Sequence, residues 1–217
     1  MKKPFLLACL ASVIVAAPAL AQQGDDTIEV WTYSARYLEA MAGMATVTMA
    51  SDNIETTATG ARLGVIAGWG RQFWATEDGI GLAGSFETEV GYSAGEACGS
   101  PSYDPNQERC IKTGLDVYGG AKFGANLHDR VIPYIKAGLS SGKVKSAYTN
   151  PLYGDPQTSG EFIRIGFGMD YNLGEAQTWI GTPLVHQTYV KLEYRINNFD
   201  FHTTGGQLLV GVGRRFP

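Results

Sequence analysis

Apolar residues alternate with small or polar residues along much of the chain beyond residue 36, in stretches of about ten residues. A period of two is that of a β-strand whose two faces meet different surroundings. The clearest stretch runs from Gly79 to Tyr92. Its apolar face carries Ile80, Leu82, Gly84, Phe86, Thr88, Val90 and Tyr92, and its other face carries Gly81, Ala83, Ser85, Glu87, Glu89 and Gly91. The pattern predicts a strand with one face suited to an apolar environment.

The same alternation predicts six further strands, over residues 61–73, 114–127, 131–140, 161–173, 188–198 and 204–216. Single-chain bacterial membrane barrels have an even number of strands, so seven strands require an eighth. The candidate is the segment 36–50, where Leu38 and Ala40 alternate with Tyr37 and Glu39. Its alternation is weaker, and a helix over 37–49 is the alternative interpretation.

The predicted connections fall into two sets. With 36–50 as the first strand, one end of the strands carries residues 51–60, 93–113, 149–160 and 197–204. The other end carries residues 74–78, 128–130 and 174–187. Membrane barrels have long loops outside and short turns on the periplasmic side. The first set is therefore predicted to face outward, and 174–187 is the exception on the periplasmic side.

Alternation alone also fits a soluble secreted barrel, whose apolar face points inward. Two features favour the membrane. The faces opposite the apolar ones are rich in glycine, which is unusual for a surface in water. Aromatic residues gather toward strand ends on the apolar face, as interfacial girdles require: Trp69, Phe73, Tyr92, Tyr171 and Phe216. The predicted fold class is therefore all-β, an eight-stranded antiparallel transmembrane β-barrel.

The first 21 residues have the three zones of a cleaved secretory signal peptide. Two lysines form the basic start, residues 5–17 form an apolar run, and Ala19 to Ala21 supply the small-residue cleavage pattern. We therefore predict a signal peptide over 1–21, an N-terminal segment over 22–35 and a barrel domain over 36–217. Such a chain is expected in the outer membrane of a Gram-negative cell.

The charge balance and the composition limit the classes of partner and of fold that fit this chain. Beyond residue 21 the chain keeps 15 of its 17 basic residues and all 21 acidic residues. This acidic excess argues against nucleic acid as a partner. Glycine, at 28 of 217 residues, is scattered through apolar stretches, which suits a closely packed barrel wall. The run of about eighteen apolar residues that a membrane-spanning helix needs does not occur after the signal.

Charged residues on the non-apolar faces of the strands are balanced in sign. They comprise six acids and six bases: Glu39, Glu87, Glu89, Asp116, Asp170 and Glu193, with Arg62, Lys122, Lys136, Arg164, Lys191 and Arg195. The interior of an eight-stranded barrel is just wide enough for side chains. We therefore predict that these residues form interlocked ion pairs that fill the lumen. The alternative interpretation is a narrow path for ions or solutes.

The remaining reactive side chains indicate a disulfide and no catalysis. Cys98 and Cys110 lie in a polar stretch, and an even pair in an oxidising compartment predicts one disulfide. A metal pair is the alternative, but no nearby histidine completes a ligand set. His128, His186 and His202 fall in predicted connections rather than beside a serine in a strand. We predict no catalytic residue, no cofactor and no metal site; His202, on the outer side, is the histidine that a catalytic hypothesis would test.

Four stretches carry a resemblance to a known family: residues 118–144 (YGGAKFGANLHDRVIPYIKAGLSSGKV), 164–174 (RIGFGMDYNLG), 189–200 (YVKLEYRINNFD) and the terminal LLVGVGRRF. They are similar to the opacity-type, OmpA-like outer-membrane β-barrel proteins, especially surface antigens and porin-like proteins of alphaproteobacteria. The resemblance implies an eight-stranded barrel in contact with outer-membrane lipid. Gly211, Val212 and Phe216 match the closing strand, whose terminal aromatic is implied to be the signal for the barrel-assembly machinery; here Pro217 follows it.

The members of that family differ in biological role, so the resemblance names no activity. The leading hypothesis is a structural protein for envelope integrity whose outer loops contact host or neighbouring-cell surfaces. The alternative is a small, low-conductance porin. The third option is a lipid-modifying outer-membrane enzyme.

Overall fold

The computed structural model describes residues 34–51, 54–75, 80–99, 108–127, 130–148, 157–173, 188–198 and 203–216. Eight strands lie in these ranges: β1 Ser34–Ser51, β2 Ile54–Ala75, β3 Ile80–Gly99, β4 Arg109–Leu127, β5 Val131–Tyr148, β6 Gln157–Asn172, β7 Thr188–Asn198 and β8 Thr203–Phe216. Across the described ranges, no helix is long and apolar enough to cross a membrane.

The strands close into a barrel. Each strand pairs antiparallel with the next along the chain, and β8 pairs with β1 from Arg36 opposite Phe216 to Met49 opposite Thr203. The predicted eight-stranded antiparallel barrel is thereby confirmed. The segment 36–50 is a strand and not the alternative helix, because its edges are both needed to close the ring.

The outward face carries a continuous apolar belt. Its large apolar side chains are 37–65% exposed, whereas their neighbours along each strand point inward and are mostly buried. Toward the 52–53 connection, the belt ends at Met44, Leu63, Tyr92, Leu115, Leu139, Ile163, Ile196 and Leu208. Such a belt is what the hydrocarbon core of a bilayer covers.

Six strands continue well beyond the apolar belt. A strand needs about 9–11 residues to cross a membrane, and β2 has 22. We call the extra part the outer wall: residues 45–51, 54–61, 93–99, 109–114, 140–148 and 157–162. The predicted connections 51–60, 93–113 and 149–160 were therefore too long, since residues 54–60, 93–99, 109–113 and 157–160 belong to strands.

The outer wall has the reverse polarity of the belt. Four of its inward side chains, Val47, Met49, Ala58 and Ile111, form a small apolar core, beside buried hydroxyl groups such as that of Thr113. Its outward side chains are polar; the hydroxyls of Thr48 and Thr57, for example, form a hydrogen bond of 2.9 Å. This part of the barrel faces water, so the apolar residues turn inward as they do in a soluble barrel.

A bulge in β4 marks the boundary between the two polarities. The register of β4 with both neighbouring strands shifts between Thr113 and Asp116. Inward side chains therefore occupy odd positions above the bulge and even positions below it. The Thr113 hydroxyl accepts a hydrogen bond from the amide of Gly95 at 2.8 Å and lies 3.1 Å from the carbonyl oxygen of Ser93, to which it can donate.

Inward tyrosines lie over glycines on the neighbouring strand. The directly paired couples are Tyr37 with Gly68, Tyr134 with Gly168, and Tyr189 with Gly213. A Cβ atom at Gly68 would stand 2.3 Å from Cζ of Tyr37. The Tyr37 hydroxyl lies 3.1 Å from both the Ser85 hydroxyl and the Glu87 carboxylate, and these hydrogen bonds restrain the ring above Gly68. Glycine at these positions gives the rings their space in the lumen.

Replacing one of these glycines tests the packing. We expect Gly68→Ala to lower the free energy of unfolding by about 1–3 kcal/mol, because the added methyl overpacks a tethered ring. Gly119 is the matched control, since a Cβ there meets nothing within 4 Å. The measurement is urea unfolding of the barrel in lipid vesicles, followed by the gel-mobility difference between folded and boiled protein. Equal stability of the Gly68→Ala and Gly119→Ala variants would contradict this packing.

Candidate functional site

The lumen holds a continuous set of buried charges, which we call the lumen network. Its members in the described ranges are six acids and seven bases: Glu39, Glu87, Glu89, Asp116, Asp170 and Glu193, with Arg62, Lys122, Lys136, Arg164, Lys191, Arg195 and Arg215. None of them is more than 8% exposed. Period-two strands with apolar residues outside necessarily direct these side chains inward.

The upper tier of the lumen network lies just below the outer wall. Arg62 donates hydrogen bonds to the Asp116 carboxylate from both terminal nitrogens, and the bond from Nη2 to Oδ1 measures 2.9 Å. Arg164 donates to the same carboxylate at 2.8 Å. It also donates through Nε to the Asn197 side chain at 2.8 Å. One carboxylate thus joins β2, β4 and β6 across the barrel interior.

Glu89 connects the upper tier to the middle of the lumen. Its Oε1 atom lies 2.7 Å from Arg62 Nη2, 2.7 Å from Arg195 Nη1 and 3.5 Å from Arg164 Nη1. These three guanidinium groups come from β2, β6 and β7, and Glu89 itself comes from β3. A single carboxylate is therefore shared by three cations whose side chains are entirely buried.

The middle tier is centred on Glu193. Lys136 lies 2.9 Å from its carboxylate and 2.6 Å from that of Glu87. Arg195 donates to Glu193 from two residues along the same strand. The Tyr134 hydroxyl donates to the other oxygen of Glu193 at 2.5 Å. These contacts run from β3 and β5 to β7, so they also cross the lumen.

The lower tier lies toward the chain termini. Lys191 and the Tyr189 hydroxyl both donate to Glu39. Lys122 donates to Asp170 at 3.0 Å, and Arg215 lies 3.4 Å from the same carboxylate. Lys122 Nζ is also 4.5 Å from the centre of the Tyr134 ring, close enough for a cation–π contact. The tyrosines that rest on glycines thus also shield the cations.

The arrangement leaves little free space between the outer wall and the upper tier. A cavity of about 20 Å³ lies there, lined in part by Val47, Phe162 and Arg164. That volume holds about one water molecule. Above it, the apolar core of the outer wall faces the same lumen. The interior can therefore hold charge in fixed pairs, and the residues described at this level leave no wide aqueous path between them.

Every residue predicted for the lumen lies on the inward side of the described barrel. The structure brings Arg62, Glu87, Glu89, Asp116, Lys122, Lys136, Arg164, Asp170, Lys191, Glu193 and Arg195 together, with Glu39 among them. Arg215 belongs to the same network, although the prediction left it out. Its position on the inward face of the last strand was the available signal.

The other predicted positions have separate places. Cys98 and Cys110 form a disulfide between β3 and β4 in the outer wall, where a metal pair was the alternative. Glu108 lies near the two sulfur atoms, but both are already bonded to each other. On β8, Gly211 faces inward, whereas Val212 and Phe216 face outward. Their role as an assembly signal stays a prediction.

Several predictions lie outside the described residues. They are the signal peptide 1–21 and the three histidines, His128, His186 and His202. Most of the predicted N-terminal segment 22–35 also lies there, and β1 already begins at Ser34.

Removing the charge of Glu89 tests the lumen network. We expect Glu89→Gln to lower the free energy of unfolding by about 3–5 kcal/mol, because three buried guanidinium groups lose their shared anion. Urea unfolding in lipid vesicles measures the change. The control is Glu96→Gln in the outer wall, whose 59% exposed carboxylate pairs with Lys112 at 3.2 Å and should change stability by less than about 1 kcal/mol. Similar, small effects of the two substitutions would refute the central place of Glu89.

The chain is similar to several proteins of known structure. The neisserial surface protein A is 16% identical over 83% of this chain and 97% of that chain, with a TM-score of 0.49. Ail, the attachment invasion locus protein of Yersinia pestis in complex with the heparin analogue sucrose octasulfate, is 16% identical over 84% of this chain and 99% of that chain, with a TM-score of 0.46. The N-terminal β-barrel domain of Pseudomonas aeruginosa OprF is 12% identical over 85% and 99%, with a TM-score of 0.40.

Among curated proteins, none matches the chain. The family model described as the outer membrane protein beta-barrel domain matches residues 5–216, which include all eight strands. The chain therefore belongs to the outer-membrane protein β-barrel family.

Proposed function

We propose that this protein is a closed, structural barrel of the outer membrane whose outer wall presents a surface for contact with other cells or molecules. The observation that carries the proposal is the lumen network. Its ion pairs join strands that are not neighbours at three levels: Arg164 with Asp116 at the top, Lys136 with Glu87 in the middle and Lys122 with Asp170 at the bottom. Side chains that brace the wall in this way serve its rigidity and leave little room for transport.

The energetics favour a permanent plug over a gated pore. Each lumen charge is almost fully desolvated, and its partner compensates for the lost hydration. Moving one guanidinium group aside would leave a buried carboxylate such as Glu89 without part of its compensation, which costs several kcal/mol. Opening a path would require such a rupture at each of the three tiers.

The outer wall supports the second half of the proposal. It projects beyond the apolar belt and is held by its own apolar core, by the Cys98–Cys110 disulfide and by the Thr113 hydrogen bonds. A polar surface on a rigid support is suited to contact with other surfaces. Its described outward side chains include Glu55, Glu96 and Glu161. We therefore propose host or neighbouring-cell surfaces as its partners.

The alternative function, a low-conductance porin, predicts ion flow through the lumen, whereas a plugged barrel predicts none. We expect the purified barrel to give no stable channel openings in planar bilayers, because the three tiers of ion pairs close the lumen. A large water-filled porin, reconstituted in the same bilayers, is the control for insertion and sensitivity. Stable openings that scale with the amount of folded barrel would overturn the plugged lumen in favour of the pore.

A strain that lacks the gene distinguishes the proposed structural role from a lipid-modifying enzymatic activity. We expect a deletion strain to become more sensitive to detergent and to adhere less to other cells, with both defects restored by the wild-type gene. The mass spectrum of its lipid A should stay unchanged, since we propose no lipid chemistry. An altered lipid A spectrum with normal detergent sensitivity and adhesion would favour the lipid-modifying enzyme.

A further inference from the structure

Three arginines lie on the lipid-facing surface where the barrel closes. Arg36 of β1, Arg71 of β2 and Arg214 of β8 all point outward and are exposed. They sit at the end of the barrel where β1 begins and β8 ends. The short turns of outer-membrane barrels are at the periplasmic end, and here the 128–130 connection shares that end with both termini of the sheet. The three side chains therefore face the periplasmic leaflet.

The strand register places Arg36 between the other two. Arg36 pairs directly with Trp69 on β2 and with Phe216 on β8. Arg71 lies two residues beyond Trp69, and Arg214 lies two residues before Phe216, so both are diagonal neighbours of Arg36 on the same face. Diagonal neighbours in a sheet are roughly 7–8 Å apart. Arg71, opposite Ser34, and Arg214, opposite Leu38, lie on opposite sides of Arg36, so each can share an anion with Arg36.

The described part of the protein supplies no counter-charge for this cluster. Within the described ranges, no acid lies within hydrogen-bonding or ion-pair distance of Arg36, Arg71 or Arg214. The outward acids of the described strands, Glu55, Glu96 and Glu161, are at the opposite end, in the outer wall. Like charges placed this close in a sheet repel one another. The cluster is thus a site of concentrated positive charge in contact with the membrane.

The surroundings of the three arginines suit a lipid headgroup. Trp69 and Phe216, which flank Arg36, are 42% and 41% exposed, as the aromatic residues of a membrane interface are. Leu38, beside Arg214 in the register, is 51% exposed and continues the apolar belt upward. Guanidinium groups bind phosphate oxygens in a forked geometry. A phosphate at the level of the arginines would let its acyl chains lie along the belt.

We propose that Arg36, Arg71 and Arg214 form a binding site for the phosphate of an anionic phospholipid in the periplasmic leaflet. The site crosses the β8–β1 seam and the adjoining β1–β2 pair. The bound lipid places a negative charge among three cations and so lowers their mutual repulsion, and it holds together the two strands from opposite ends of the chain. It is an annular lipid site with a preferred headgroup, independent of whether the lumen conducts.

The fluorescence of Trp69 can report on lipid bound at this site, because Trp69 is the direct neighbour of Arg36. Replacing Trp31, Trp74 and Trp179 with phenylalanine leaves Trp69 as the single tryptophan. The barrel is folded into vesicles of phosphatidylcholine with increasing amounts of phosphatidylglycerol whose acyl chains are brominated. Quenching of Trp69 fluorescence then gives the enrichment of phosphatidylglycerol next to the site over the bulk membrane. We expect about threefold enrichment or more.

Matched single substitutions decide the proposal. Arg36→Gln should abolish most of the enrichment, whereas Arg36→Lys, which keeps the charge, should retain a good part of it. Arg130 is the control: it is exposed at the same end of the barrel but lies between β4 and β5, on the opposite wall. Arg130→Gln should leave the enrichment at Trp69 unchanged. The mobility difference between folded and boiled protein confirms that each variant has formed its barrel.

Two outcomes would refute the site. One is equal quenching by brominated phosphatidylglycerol and brominated phosphatidylcholine in the protein with all three arginines. The other is equal loss of enrichment in the Arg36→Gln and Arg130→Gln variants, which would reflect the overall charge of the protein. Neither outcome bears on ion flow through the lumen, so failure of this inference is distinct from failure of the plugged-barrel function.

Discussion

Charge pairing inside the lumen is the constraint on which the rest of this barrel depends. A ring of eight strands has an interior only wide enough for side chains, so inward charges lose nearly all contact with water. Each then needs a partner from another strand, and Glu89 supplies one anion to guanidinium groups from three strands. Most of the pairs join different strands across the interior, and in this way they hold the ring at a definite diameter.

The same demand for space explains the inward glycines and tyrosines. A lumen full of long charged side chains has room for the Tyr37, Tyr134 and Tyr189 rings only where the paired position is glycine. Their hydroxyls donate to carboxylates of the lumen network, as Tyr134 does to Glu193. Each glycine, the tyrosine ring above it and the carboxylate that the tyrosine contacts thus pack as one unit. The glycines of the wall leave the space that the rings and the lumen network occupy.

The wall itself changes character along its height. Within the apolar belt, the outward residues are apolar because lipid surrounds them, and the inward residues are charged and paired. In the outer wall the apolar residues turn inward to form the Val47, Met49, Ala58 and Ile111 core. The β4 bulge between Thr113 and Asp116 shifts the alternation at this boundary. At the other end, Arg36 and its diagonal neighbours bring positive charge to the lipid surface without a described acidic partner.

In the sequence, alternation identified seven strands and the side of each belt strand that faces inward, because a period of two assigns each residue to a face without reference to any other strand. The eighth strand and the closed antiparallel barrel rested on the rule that such barrels have an even number of strands. The sequence also identified the Cys98–Cys110 pair and, of the inward charges in the described ranges, all except Arg215. Tertiary structure alone decided which acid meets which base, since partners such as Arg62 and Asp116 are joined by the stagger and closure of the ring.

The strands of the outer wall also depend on tertiary structure and could not be predicted from the sequence. Residues 54–60 are mostly polar, with Glu55, Thr56 and Thr57 in succession, and such a pattern resembles a loop. They become a strand because β1 continues alongside them. The arginine cluster has the same origin. Arg36 and Arg214 are distant in the chain, and only closure of β8 onto β1 makes them neighbours. Local periodicity determines which way a side chain points, whereas closure determines what it meets there.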